Sequence, residues 1–203
     1  MARPRSFDET EAVEKALALF TAKGYDGTSV ADLTAAIGIK PASLYTAFGD
    51  KRGLFDRALD LYAARRAPLV QTALAQPTIA GVVDRLLHNY ADALTHGDLA
   101  RGCLYVQGAL AGGDASESVK HELARRRLSI EPELEQRFRR AVVDGELDTE
   151  ADCGGLARYV ATLLQGMAVQ ASGGVDADAL HAVARVVSAQ FEAMTGAVAR
   201  KRF

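Results

Sequence analysis

The chain has 203 residues, of which 49% are hydrophobic and 25% charged, a balance that suits one or two globular helical domains and excludes a disordered chain. Net charge is only −2, divided as +1 over residues 1–66 and −3 over the rest, so bulk charge does not announce a nucleic-acid partner. No signal-peptide pattern opens the chain and no apolar run is long enough to span a bilayer. The two cysteines, Cys103 and Cys153, make no zinc pattern with the four scattered histidines, so a reduced, cytoplasmic protein with no metal, cofactor or membrane partner is expected.

Ala, Leu, Arg and Glu dominate, strand signals are nearly absent, and apolar residues recur at helical spacing, so the expected fold is all-α with about nine helices. The first runs from about Asp8 to Lys23, with Val13, Ala16, Leu17 and Phe20 on one stripe. Ser6 and Glu9 fit a capping box at its start, and Gly24 suits its end. A short second helix, Ser29 to Ala36, turns at Gly38. A third opens with Pro41 in its first turn and stops at Gly49, and Asp50 caps a long fourth. After Pro77 longer segments follow at about 78–96, 98–112, 116–144, 150–172 and 177–198, with Pro132 dividing the third of these. This pattern divides the chain into an N-terminal unit (1–50), a connecting helix (51–76) and a larger helical body (77–203).

Two short helices joined by a tight glycine-containing turn are the sequence form of a helix-turn-helix. Its second helix must enter the major groove, so its outward side chains must be short or able to hydrogen-bond. Lys40, Pro41, Ala42, Ser43 and Thr46 satisfy this, while Leu44 and Phe48 anchor the inner face. Tyr45 can set its hydroxyl on a phosphate. Thr28 and Ser29 offer hydroxyls and helix-terminal N–H groups to another. Lys51 opposes the macrodipole at the start of the fourth helix, an unfavourable place that a phosphate ligand would explain. Spacing alone leaves open both DNA binding and ordinary packing in a helical bundle.

An ordered set carries more. Ala16, Leu19, Phe20, Gly24, Tyr25, Thr28, Ser29, Val30, Leu33, Ala36, Gly38, Ile39, Leu44, Tyr45, Phe48, Lys51, Leu54 and Phe55 make residues 8–62 resemble the DNA-binding domain of the tetracycline-repressor (TetR) family of bacterial regulators. The resemblance implies a repressor that binds a palindromic operator on double-stranded DNA as a homodimer and is released by a small-molecule effector. Two departures stand out. Lys40 occupies a position where many members have Ser, removing the usual side-chain cap of the recognition helix. Gly53 stands near where many have Glu, and should weaken the start of the fourth helix by about 1 kcal/mol relative to Ala.

The C-terminal body resembles the family less specifically, through Arg101–Leu104 and Gln165–Gln170. By that analogy the last two helices pair across a four-helix dimer interface, with Val160, Leu164 and Met167 on one and Val183, Val187 and Phe191 on the other. The same stripes equally fit a monomer's own core, because an apolar stripe requires burial without saying against what. Tyr90, Leu94, Cys103, Gln107, Leu110, Phe138, Tyr159 and Leu163 are candidates for a mostly apolar effector pocket, with core packing as the alternative for each. Cys103, after Arg101 at a helix start, fits either an activated redox or electrophile-sensing thiol or an inert buried one. Pro68 should bend the fourth helix and so help couple pocket to DNA domain. A helical enzyme or carrier is the competing reading, but no nucleophile–base pair, metal set or phosphate-binding glycine loop supports it, and His88 and His121 have no partner identifiable in sequence. An architectural DNA-binding protein would need more positive charge.

Overall fold

The computed structural model describes residues 7–96, 102–106 and 117–201. Among them the chain forms nine helices, with a short helical turn at 104–106 and no strand. The helices α1 (Glu9–Lys23), α2 (Val30–Ile37) and α3 (Pro41–Phe48) form the N-terminal unit. A long α4 (Lys51–Leu74) leads into α5 (Ile79–Thr95), α6 (Glu117–Leu128), α7 (Ile130–Val143), α8 (Cys153–Ser172) and α9 (Ala177–Lys201). Most of the helix expected at 98–112 lies outside the described residues, as do Gln107 and Leu110.

Local chemistry fixes the helix ends. Asp8 caps α1, accepting the N–H groups of Thr10 at 2.7 Å and Glu11 at 3.4 Å, while Ser6 lies outside the described residues. Ser29 and Asp32 form a reciprocal capping box on α2. Gly38, at φ 81°, ends α2 in a left-handed conformation and makes the turn into α3 possible. Lys40 is the N-cap of α3 and gives it no side-chain bond. The division between α6 and α7 falls at Ser129, which puts Pro132 in the first turn of α7, where its missing N–H costs nothing.

Gly53 corrects an expectation. A Cβ at this position would overlap the carbonyl oxygen of Phe48, so the chain reverses between α3 and α4 only because no side chain is there. The glycine that helix propensity counts as a weakness is the residue the packing demands.

In the N-terminal unit α1 packs along α4, and α2 and α3 close its other side. Phe20, Phe55 and Tyr25 form its aromatic centre, with ring centroids of Phe20 and Phe55 at 4.8 Å and of Tyr25 and Phe55 at 4.8 Å. In the body α5 packs against α4, α8 and α9, and α7 lies on α8. Phe138 stacks on Phe191 at 5.8 Å. Glu146 fastens the turn after α7. One carboxylate oxygen accepts the Ile79 N–H at the start of α5 at 2.5 Å, and the other meets Arg137 at 3.3 Å. The histidines do acquire partners: His88 meets His181 at 2.6 Å and Asp84 at 3.5 Å, and His121 lies 3.7 Å from Glu117.

The expected dimer stripe is corrected here. Val160, Leu164, Met167, Val187 and Phe191 are buried within the chain's own body. Only Val183 of the six is exposed, and it shares the outer face of α8 and α9 with Tyr159, Val169, Val186 and Met194. The periodicity is that of a core face, and the exposed apolar side chains of the same helices flank it or lie behind it.

Candidate nucleic-acid interface and effector pocket

On α3 the apolar side chains Leu44 and Phe48 are buried, leaving Pro41, Ala42, Tyr45 and Thr46 on the outer surface with Lys40 beside them. Tyr45 is 51% exposed, unusual for a ring this size. Ser43 is half-buried. Thr46 donates its hydroxyl to the Ala42 carbonyl at 2.8 Å, leaving its oxygen free to accept. With no side chain capping α3, the Ala42 N–H at its positive end is left for solvent or an anion.

Three residues sit differently from the expectation. Thr28 is fully buried and donates its hydroxyl to the Gly24 carbonyl at 2.7 Å, so it braces the turn after α1 and its side chain does not face outward. Ser29 is exposed, but its hydroxyl is engaged with Asp32. Those bonds from Ser29, with Lys23 beyond them, hold the Asp32 carboxyl down at about 2. Lys51 places its ammonium 4.1 Å from the centre of the Tyr25 ring. Burial lowers the Lys51 pKa, and Asp26 works against that shift. The ring face offsets the adverse dipole at the start of α4.

Two ion pairs, Arg57–Glu9 at 3.3 Å and Arg65–Glu14 at 2.5 Å, tie α4 to α1. The next turn of α4 borders a partly open cavity of about 260 Å³ formed with α5, the 102–106 segment, α6, α7 and α8. Of the residues expected there, Tyr90 and Cys103 line it. Leu94 and Phe138 are core residues instead, Leu163 is partly buried elsewhere, and Tyr159 is on the outer surface, its hydroxyl donating to Gln190 at 3.1 Å. Leu164, expected at the dimer interface, is in this wall.

Sequence reasoning missed Arg66. Its guanidinium lies 4.3 Å from the Tyr90 ring centre and 5.3 Å from that of Tyr62, and Nη1 donates to the Tyr62 hydroxyl at 3.0 Å. Burial raises the pKa of both phenols well above the ordinary value, with the adjacent Cys103 thiol adding to the rise. Both are neutral and give Arg66 no counter-charge. A signal was available: Phe55, Leu59, Tyr62 and Arg66 follow at i, i+4, i+7 and i+11, which puts the arginine on the apolar face of α4. Cys103 is a free thiol buried in the same wall, and Arg101 lies outside the described residues.

Among the described residues no group of three or more His, Cys, Asp or Glu could hold a metal ion, and no helix is long and apolar enough to cross a membrane. Residues 12–58 match the family profile described as bacterial regulatory proteins, tetR family, and residues 82–187 match that of the tetracyclin repressor-like C-terminal domain. The transcriptional repressor ComR of Escherichia coli K12 is 30% identical over 90% of this chain and 88% of its own length. A solved structure of the TetR family regulator CifR, a cysteine mutant bound to a 26-base-pair operator, superposes with a TM-score of 0.87 at 37% identity, covering 92% of this chain and 98% of that one. A TetR regulator from Rhodococcus sp. RHA1, also 37% identical, covers 90% and 98% with a TM-score of 0.61.

Proposed function

The chain belongs to the TetR family of bacterial regulatory proteins and acts as a DNA-binding transcriptional regulator, and on that premise we propose how it reads DNA and what releases it. It is a repressor. Two copies set α3 into successive major grooves of a palindromic operator, since a two-fold reader matches a two-fold site. Pro41, Ala42, Ser43, Tyr45 and Thr46 meet the DNA, with Lys40 and Ser29 toward phosphate. Lys51 reaches phosphate only by leaving the Tyr25 ring, and Thr28 contributes as a brace. The carrying observation is the outer face of α3, with exposed Tyr45 among short side chains.

Residues 1–50 form the DNA-binding unit, 51–76 the connector and 77–203 the effector and dimer body. The dimer joins through the exposed face of α8 and α9. A small organic effector enters the cavity beside Arg66 and acts through α4, whose other face is tied to α1 by Arg57 and Arg65. A ligand can release DNA only by favouring a state in which the two α3 helices are wrongly spaced. Pro68 lies inside α4 two residues beyond Arg66, where its ring deletes one backbone bond and eases bending. The protein works in the cytoplasm and carries out no catalysis. Selection of bound DNA from a random pool tests the reading: recovery of a palindrome is expected, and no enrichment over random sequence would sink it.

A further inference from the structure

Arg66 is a half-buried charge set into the wall of this cavity. Among the described residues no carboxylate pairs with it. Arg126, on the same cavity wall, shows the ordinary arrangement, meeting Glu122 at 2.6 Å and Asp60 at 2.7 Å. A guanidinium cannot shed its proton to escape burial, and neutral ring faces replace only part of its lost hydration. Among the described residues the cavity wall holds three arginines against one glutamate, Glu133, which is exposed. The rest of the wall is mostly apolar, with Val70, Leu86 and Leu164 among its side chains, and Gln71, Ser129 and Gln165 add uncharged polar groups.

We propose that this cavity binds a small organic carboxylate, its carboxylate on the Arg66 guanidinium and its apolar body against Val70, Leu86 and Leu164. A planar fork of N–H donors matches a carboxylate bidentately. The cavity, about 260 Å³, is just under the ~300 Å³ at which drug-sized ligand sites begin, so the acid is short-chain or single-ring. The proposal deepens the regulatory reading and rests on it in taking this ligand as the effector.

Titration calorimetry on the full chain would compare hexanoate, octanoate, benzoate and phenylacetate with their primary amides, and with inorganic phosphate. At least one acid should bind tenfold or more tightly than its amide. Arg66→Gln should remove that preference and leave the amide unchanged, while Arg66→Lys keeps part of it. No binding by any acid, equal binding of acid and amide, or phosphate binding in preference would overturn the proposal. So would an Arg66→Gln protein that binds acids as tightly as the parent. If Arg66→Gln does not fold, the parent's acid-to-amide ratio and Arg66→Lys decide. Operator binding, followed in parallel, separates the two ideas. Acid binding without specific DNA binding would sink the regulatory reading and keep the site, and specific DNA binding without acid binding would do the reverse.

Discussion

The carbonyl oxygen of Phe48 occupies the space that a Cβ on Gly53 would need. Helix propensity favours Ala over Gly in the first turn of α4 by about 1 kcal/mol, and the overlap opposes it with backbone that has no flexible end to yield. Overpacking of this kind costs about 1–3 kcal/mol, so steric cost wins. Gly53→Ala should therefore lower the thermal midpoint. An unchanged or higher midpoint would show that α3 and α4 reverse with slack.

Glu146 joins three elements through one carboxylate, and its side chain and that of Arg137 are only 19% and 11% exposed. Glu146→Ala leaves a largely buried guanidinium without its counter-charge, held only by the Gln76 and Pro77 carbonyls, and the first N–H of α5 unanswered. A loss of about 3–5 kcal/mol is expected in urea unfolding, the cost of stranding one partner of a buried pair. Loss of less than 1 kcal/mol would mean that water replaces the carboxylate freely.

How much was legible in the sequence differs between these sites. Gly24, Gly38, Gly49 and Asp50 mark helix ends by local chemistry, and they were readable because a cap depends on neighbours in sequence. The roles of Val160, Leu164 and Met167 were not. Their spacing required burial, and only the packing of α8 against α5 and α7 decides what covers them. Gly53 was misread because its constraint comes from the backbone of the preceding helix rather than its own. Arg66 was passed over because an arginine on a charged helix reads as solvated, although its place in the apolar stripe of α4 was on view.

On α3, residues that touch bases and residues that touch phosphate separate by salt. Lys40→Ala should weaken operator and random DNA alike and reduce the slope of log affinity against log salt by about 1. Ser43→Ala and Thr46→Ala should instead relax sequence preference, by about 1–3 kcal/mol where a base contact is lost. Thr28→Val should leave the salt slope unchanged and lower stability by about 1 kcal/mol through its lost bond to Gly24. A changed slope in Thr28→Val would return that residue to the DNA surface.

Glu122 gives a pH dependence with a defined sign. Hydrogen bonds from Arg125 and then Arg126 hold its carboxyl down at about 2, below the ordinary value of 4.5. A depressed carboxylate stabilises the fold fully above its unfolded pKa, and the contribution is lost as pH falls toward the folded value. The stability gap between the parent and Glu122→Gln should thus be constant above about pH 5.5 and shrink between 4.5 and 2. A gap that does not change with pH in denaturant titrations would assign the effect to packing.

Val186, 60% exposed on α9, tests the two-fold face. Val186→Glu should give a folded monomer in sedimentation velocity, with operator affinity falling as protein concentration is lowered. A dimer of unchanged strength would place the interface elsewhere.

Arg65 and Arg66 are neighbours in sequence and about 100° apart around α4, one gripping α1 and the other bordering the cavity. The helix from Arg66 back to Lys51 is about 22 Å long at ~1.5 Å per residue. A tilt of about 5° pivoting at Arg66 therefore moves its far end by about 2 Å, comparable to the helix shifts by which other switches work. At that reach, a movement too small to see among the side chains of the cavity becomes a misfit between protein and groove.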